Sequence, residues 1–232
     1  MFGWVSITGR DVAGDGLPVE DLCPAMTAQR PSLGPAHFRR LYDANPDPWR
    51  FRTSAYEQAK YRKTIAALQN RSFSSAFEVG CSIGVLTRLL APHCKAMLAV
   101  DIIEQPLTAA RAACADQPWV RFERMQVPRQ WPNGTFDLVV LSEVLYFLSP
   151  ADIVAVADLT ARSLVPNGLA LLVNWCGRSD DPCTGEQAVR AFMQRTRDRL
   201  VPRTQFSEPA VANGRDCGSP DRLYRLDLLV RR

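Results

Sequence analysis

The stretch from Ala76 to Asp101 constrains the fold more than any other part of this 232-residue chain. The apolar run Ala76–Val79 predicts a buried strand, and two glycines four positions apart, Gly80 and Gly84, predict a tight turn. Apolar residues then recur at helical spacing, and a second apolar run ends in Asp101. Strand, glycine turn, helix and second strand together predict an α/β fold with a parallel sheet.

The same stretch predicts a nucleotide site. Gly80 would let the backbone leave the strand at dihedral angles closed to other residues, and Gly84 would let a ligand approach the helix start. Asp101 ends the next strand, within reach of ribose hydroxyls over the turn. Ser82 stands where a dinucleotide fingerprint has its middle glycine. A purely structural turn is the alternative, and Glu78 and Asp101 argue against it.

Composition excludes several classes of protein. With 47% apolar residues, the chain suits one compact domain. It has no long apolar run and no basic leader, so a soluble, cytoplasmic protein without membrane contact is expected. Seven cysteines lack zinc-site spacing and only two histidines occur, which predicts free thiols and no metal. A scattered net charge of +4 argues against nucleic acid.

The chain divides near residue 35. Residues 1–34 are rich in Gly, Pro, Asp and Ala and predict a flexible extension, and residues 35–232 predict a single domain that begins with a helical lid at 35–70. The lid contains a short helix, a break at Pro46 and Pro48, and a second helix that Ser54 would cap.

Several segments resemble known proteins. The run from Glu78 to Gly84 (EVGCSIG), followed by Ala-Val-Asp101, resembles the cofactor signature of class I S-adenosyl-L-methionine (AdoMet) dependent methyltransferases. The segments at 43–61 and 136–148, with a Pro-Trp pair and a Tyr-Glu-x-x-Lys-Tyr helix in the first, are similar to the nodulation protein S family. The resemblance implies an α/β, doubly wound, mostly parallel seven-stranded sheet with helices on both faces and an antiparallel edge strand.

The resemblance also implies which residues bind the cofactor. The acid at Glu78 would sit at the strand end, the glycine turn would pack on the methionine and ribose, and Asp101 would bind the ribose hydroxyls. Gln126 would contact adenine through its amide, in place of the acid found in many relatives. The implied cofactor-binding residues are Glu78, Gly80, Cys81, Ser82, Gly84, Asp101, Ile102, Gln126, Ser142, Trp49, Tyr56 and Tyr61. The aromatic residues among them would either pack in the core or cover the sulfonium.

Periodicity predicts the remaining elements. Helices are expected at 107–115, 151–164 and 186–200, and strands at 119–125, 136–141, 169–175 and, as the terminal edge strand, 223–230. The turn Pro166-Asn167-Gly168 is expected to precede the strand at 169–175.

Ser142 and Glu143 follow the apolar strand at 136–141, where open parallel sheets bind their ligands. Glu143 is either a helix-start acid or a group that faces the methyl acceptor. Methyl transfer depends mainly on holding the acceptor and methyl group collinear in a dry pocket. For an amine acceptor, Glu143 would bind the ammonium and help remove its proton, and Tyr146, three residues on, would orient the acceptor.

The expected function is AdoMet-dependent methyl transfer to a small-molecule or oligosaccharide acceptor by a monomer or weak homodimer. The resemblance implies N-methylation of the free amine of a de-N-acetylated chitooligosaccharide during Nod factor synthesis. Another small amine or hydroxyl acceptor is the first alternative. A nicotinamide-dependent oxidoreductase and a non-catalytic nucleoside-binding protein are the others.

Overall fold

The structure is a computed structural model that describes residues 30–177, 180–209 and 223–232. Most of the expected extension, residues 1–29, lies outside the described residues. Just after it, the N–H of Leu33 donates to the carbonyl of Phe147 over 2.9 Å, and the N–H of Ser149 donates to Ser32 Oγ over 2.8 Å. Residues 32 and 33 therefore contact the segment that precedes the fifth helix.

Helices and strands alternate along most of the described chain. The α-helices are α1 (Pro35–Ala44), α2 (Ala55–Ala67), α3 (Val85–Leu90), α4 (Glu104–Ala113), α5 (Pro150–Ser163) and α6 (Gly185–Thr196). The strands are β1 (Ala76–Val79), β2 (Met97–Asp101), β3 (Val120–Arg124), β4 (Phe136–Ser142), β5 (Leu164–Trp175), β6 (Leu200–Pro209) and β7 (Leu223–Arg231). This alternation is typical of a doubly wound fold.

The strands form one seven-stranded sheet in the order β3-β2-β1-β4-β5-β7-β6. Pairing is parallel from β3 to β5, and β7 runs antiparallel to both β5 and β6. The predicted fold class is confirmed. One detail of the prediction was wrong: β7 lies second from the edge, and the edge strand is β6, which periodicity did not predict.

The turn expected at Pro166-Asn167-Gly168 does not precede β5 but lies inside it. Asn167 has a φ of +63°, and the pairing register between β4 and β5 shifts between Phe136 and Leu138. Because the strand absorbs the turn as an irregularity, β5 begins at Leu164, earlier than periodicity indicated.

The apolar core lies on both faces of the sheet, as the alternation of side chains along a strand requires. On β4, Val139 and Leu141 pack in the cluster that contains α5 and α6 residues, whereas Leu138 and Val140 pack in the cluster that contains α2 and α3 residues. All four side chains are fully buried. A central strand covered on both faces explains the near-continuous apolar run in its sequence.

Helix α2 buries charged side chains as well as apolar ones. Ser54 caps it as predicted, because its side chain accepts a hydrogen bond from the N–H of Glu57. However, the buried residues of α2 include Glu57, Lys60 and Thr64 beside Tyr61. Two charged side chains therefore lie in the interior, next to the carboxyl ends of the strands.

Candidate functional site

The turn after β1 requires glycine at Gly80. This residue has a φ of +77°, and a β-carbon there would lie 2.4 Å from Cγ2 of Val144. Ser82, two residues on, also has a positive φ of +49°. The turn therefore bends away from the strand as the sequence predicted, and it has no room for a side chain at Gly80.

Gly84 has a packing role that the sequence did not indicate. Its φ is +78°, but a β-carbon there would lie 2.9 Å from Cβ of Ala110 on α4. Gly84 also lies outside the lining of the cavity that the turn borders. This glycine therefore lets α3 and α4 pack closely, and the ligand approach predicted for it stays a prediction.

Asp101, at the end of β2, faces the glycine turn. Its Oδ2 accepts the N–H of Ser82 over 3.0 Å, and its Oδ1 accepts the N–H of Ile103 over 2.9 Å. Burial raises the pKa of this carboxyl to about 6, although backbone hydrogen bonds from Ile103 and Ser82 oppose the shift. Each oxygen keeps a lone pair for a further donor.

Glu78 lies at the base of the same turn and is only 2% exposed. Its Oε2 accepts a 2.6 Å hydrogen bond from the hydroxyl of Thr87 on α3. Burial raises the pKa of Glu78 to about 7, the Thr87 hydrogen bond opposes that rise, and the Asp101 carboxylate adds to it. Glu78 therefore links β1 to α3 and titrates near neutral pH.

A cavity of about 1120 Å³ opens at the carboxyl ends of β1, β2 and β4. Apart from Gly84, every residue that the sequence assigned to cofactor or acceptor contributes to its lining. These residues are Trp49, Tyr56, Tyr61, Glu78, Gly80, Cys81, Ser82, Asp101, Ile102, Gln126, Ser142, Glu143 and Tyr146. The structure thus brings them together around one space.

Helix α1 and the segment before α2 cover one side of this cavity. The hydroxyls of Tyr42 and Ser82 are hydrogen-bonded over 2.5 Å, which ties α1 to the glycine turn. Trp49 stacks on Phe51, with ring centroids 5.5 Å apart. Tyr61 is 5% exposed and belongs to an apolar core cluster while it also lines the cavity. Core packing and cavity lining therefore coexist in this residue, and Tyr42 is a lining residue that the sequence did not indicate.

Glu143 does not begin a helix, so its interpretation as a helix-start acid was wrong. It has a φ of +58° directly after β4, and its N–H donates to the carbonyl of Val173 over 2.7 Å. The residues that follow, Leu145–Phe147, form only a short 3-10 turn. Because this turn is not an α-helix, Tyr146 reaches Glu143 through local chain geometry rather than along a helical face.

The carboxylate of Glu143 accepts three hydrogen bonds. Oε1 lies 2.5 Å from Lys60 Nζ, and Oε2 accepts the Tyr146 hydroxyl over 2.8 Å and the Trp175 N–H over 2.9 Å. These donors fix the orientation of the carboxylate at the cavity wall. The predicted pair of Glu143 and Tyr146 is therefore joined by a direct hydrogen bond at the cavity wall.

Lys60 and Glu57 are site residues that the sequence analysis did not assign. Lys60 is 2% exposed, and its Nζ lies 3.0 Å from Oε1 of Glu57 as well as 2.5 Å from Glu143. Burial lowers the pKa of Lys60, but the Glu143 and Glu57 carboxylates outweigh it and raise the pKa above its ordinary value. The Tyr-Glu-x-x-Lys-Tyr sequence contained the signal, since its Glu and Lys are spaced to pair on a helix.

These three residues, called here the acidic triad (Glu57, Lys60 and Glu143), carry one net negative charge beside the cavity. A buried negative charge attracts a cationic ligand strongly, because the surrounding dielectric is low. Within the described ranges, no cluster of three His, Cys, Asp or Glu side chains is placed to hold a metal ion. Nor does any helix of those ranges have the length and apolar character needed to span a membrane.

Comparison with known proteins shows which family this chain resembles. Residues 37–165 match the family model described as nodulation protein S (NodS). The chain is 35% identical over 103 residues to nodulation protein S of Bradyrhizobium diazoefficiens, which covers 44% of this chain and 49% of that protein. It is 30% identical over 130 residues to nodulation protein S of Sinorhizobium fredii, and the match covers 56% of this chain and 57% of that protein. The chain thus spans about half the length of these curated relatives.

Solved structures share the fold. The N-methyltransferase NodS of Bradyrhizobium japonicum WM9, in complex with S-adenosyl-L-homocysteine, matches with a TM-score of 0.73 and 21% identity, covering 84% of this chain and 97% of that one. Magnesium protoporphyrin IX methyltransferase of Synechocystis PCC 6803, with bound AdoMet, matches with a TM-score of 0.65 and 14% identity, covering 85% and 96%. Because the family model matches more than half of the residues of this chain, the chain belongs to the nodulation protein S family.

Proposed function

We propose that this chain is an AdoMet-dependent methyltransferase that acts on an amine. The observation that carries the proposal is that one cavity joins the glycine turn and Asp101 to the acidic triad. The first part suits a nucleoside with ribose hydroxyls, and the second suits a cationic acceptor. Membership of the nodulation protein S family supports the same assignment.

The residues present fit the cofactor. Asp101 has lone pairs for two ribose hydroxyls, and Gly80 lines the cavity at the turn beside it. Apolar side chains of Ile102, Met125 and Val127 line the cavity and offer a surface for an adenine ring. When bound, AdoMet supplies an electrophilic methyl group on a sulfonium.

The chain itself contributes position and exclusion of water. Trp49, Tyr56 and Tyr61 line the cavity, and as a lid they would let the reacting groups meet in a dry space. The acidic triad would hold an ammonium near the carboxyl end of β4, beside Ser142. Fixing an amine in line with the methyl–sulfur bond turns a bimolecular reaction into an effectively intramolecular one.

We infer that the acceptor is the free amine of a de-N-acetylated chitooligosaccharide, and that the chain acts in Nod factor synthesis. The relatives named nodulation protein S, and the N-methyltransferase NodS among the solved structures, support this inference. The cavity also exceeds the roughly 300–1,000 Å³ typical of a small-molecule pocket, which suits a cofactor and a sugar together. A hydroxyl acceptor suits a negatively charged wall less well because it has no cationic form.

A panel of acceptors tests the proposal. The full chain is incubated with AdoMet and a de-N-acetylated chitooligosaccharide, the fully N-acetylated oligomer of equal length, a small amine and a small alcohol. Formation of S-adenosylhomocysteine and of methylated product is followed by mass spectrometry. Methylation of the de-N-acetylated oligomer but not of its acetylated match is expected. Turnover of the alcohol alone would overturn the amine assignment.

A further inference from the structure

The carboxylate that removes the acceptor's proton must be able to hold it. Glu143 is poorly suited, because Lys60, Tyr146 and Trp175 all donate to its two oxygens. These donors occupy lone pairs that a transferred proton would need.

Glu57 has a different environment in the same triad. It lines the cavity and is 8% exposed, and its Oε1 receives the hydrogen bond from Lys60. Its Oε2 lies 2.9 Å from Lys60 Nζ but accepts no hydrogen bond from the part of the chain that the structure describes. This oxygen therefore keeps lone-pair capacity for a donor on a ligand.

We propose that Glu57, rather than Glu143, receives the acceptor's ammonium and takes its proton, and that Lys60 is the positioning residue that holds both carboxylates. This inference rests on the proposed function. Glu143 then holds Tyr146 and Trp175 in place at the acceptor side of the cavity. Its carboxylate stays paired with Lys60 during the reaction.

The proposed step balances in atoms and charge. The acceptor ammonium gives one proton to Glu57 and becomes a neutral amine. Its nitrogen lone pair forms a bond to the methyl carbon while the methyl–sulfur bond breaks and its electron pair stays on sulfur. The products are the N-methylated ammonium and neutral S-adenosylhomocysteine, and Glu57 returns its proton to solvent when they leave.

Several titratable groups face Glu57 and set its affinity for a proton. They are Tyr56, Lys60 and Tyr61 on its own helix, and Glu143 and Tyr146 across the cavity. Burial raises the pKa of Glu57 most, the Lys60 ammonium lowers it, and the Glu143 carboxylate raises it. The carboxylate is thereby made a better proton acceptor than an exposed glutamate.

The pH dependence of methyl transfer distinguishes the two glutamates. Glu57→Gln should lower kcat/KM by about 100-fold near neutral pH, a typical contribution of a general base. The rate should recover as the pH rises, since the amine then enters already deprotonated. Glu143→Gln should lose activity at every pH, because it disturbs position. Glu123→Gln on β3, at a half-buried residue outside the cavity, is the matched control.

Calorimetric titration with S-adenosylhomocysteine accompanies each variant and shows whether the cofactor site is intact. The inference would be overturned if Glu57→Gln kept the wild-type rate and pH profile. It would also be overturned if the rate of Glu143→Gln, and not that of Glu57→Gln, recovered as the pH rises. If Glu57→Gln fails to fold, Glu57→Asp is tested in its place. We expect this variant to show a reduced rate with a wild-type pH profile, and a full wild-type rate would contradict the assignment of Glu57 as the base. Absence of methyl transfer to any amine by the wild-type chain would refute the proposed function itself.

Discussion

The buried Lys60 on α2 and the partly buried Glu143 after β4 form an ion pair, with 2.5 Å between Nζ and Oε1 although 83 residues separate them in sequence. Glu57 shares the same ammonium and makes the pair a triad. The contact fastens the second helix of the lid segment to the carboxyl edge of the sheet. It also leaves a net negative charge at the cavity, which is the feature from which the amine acceptor is inferred.

Removing the cation of this triad should destabilise the fold. Lys60→Met would leave Glu57 and Glu143 buried without a counter-ion, and breaking a buried pair in this way costs about 3–5 kcal/mol. The free energy of unfolding in urea measures the loss, with the exposed Lys95→Met as control. A loss below about 1 kcal/mol, as is usual for a surface pair, would contradict the described burial.

Glu78 should make stability depend on pH. Its pKa is raised from 4.5 to about 7 in the folded chain, so between these values the folded state holds a proton that the unfolded state releases. Stability should therefore fall as the pH rises through this window, by about 3 kcal/mol at about 1.4 kcal/mol per unit. Glu78→Gln should remove that slope, whereas Glu123→Gln should keep it. Denaturant midpoints from pH 5 to pH 8 check the difference, and parallel curves for wild type and Glu78→Gln would speak against it.

Asp101 should contribute directly to cofactor affinity. Asp101→Asn keeps the shape of the side chain but loses its charge and one acceptor, so S-adenosylhomocysteine should bind about 1.5–3 kcal/mol more weakly. Calorimetry would show this as a roughly 10- to 100-fold larger Kd. The exposed Asp116→Asn, which loses only a surface pair with Arg88, should bind normally. Equal affinity of Asp101→Asn and wild type would exclude the ribose contact.

The glycine turn should not tolerate a side chain. Gly80→Ala places a β-carbon 2.4 Å from Val144 at a φ of +77°, so binding of S-adenosylhomocysteine should be lost. Gly134→Ala is the matched control, because Gly134 also has a positive φ, +108°, but a β-carbon there would meet no atom within 4 Å. Retained binding in Gly80→Ala would show that the cofactor does not depend on this turn.

Local patterns in the sequence predicted most of the sheet. The apolar runs that became β1, β2 and β4 are short and continuous, and Gly80 and Asp101 mark where two of them end. Such signals lie within a few neighbouring residues, so a sequence displays them directly. The edge strand β6 was not predicted because Pro202 and Pro209 interrupt its pattern, which only an edge strand tolerates.

The charged part of the site depends on distant contacts and was therefore only partly predicted. Glu143 was found because it follows a buried strand, but a lysine on a helix ordinarily indicates a solvated face. Lys60 is buried only because Glu143 approaches it from another part of the chain. Similarly, the role of Gly84 depends on Ala110 of α4, and local sequence does not contain that contact.

Calorimetric titration of the full chain with S-adenosylhomocysteine, and separately with NADH under the same conditions, decides which cofactor this cavity binds. We expect micromolar binding of S-adenosylhomocysteine and none of NADH. The reason is that Asp101 and the glycine turn line the same cavity as the acidic triad. Binding of NADH alone would indicate an oxidoreductase, and binding of neither would contradict a cofactor site in this cavity.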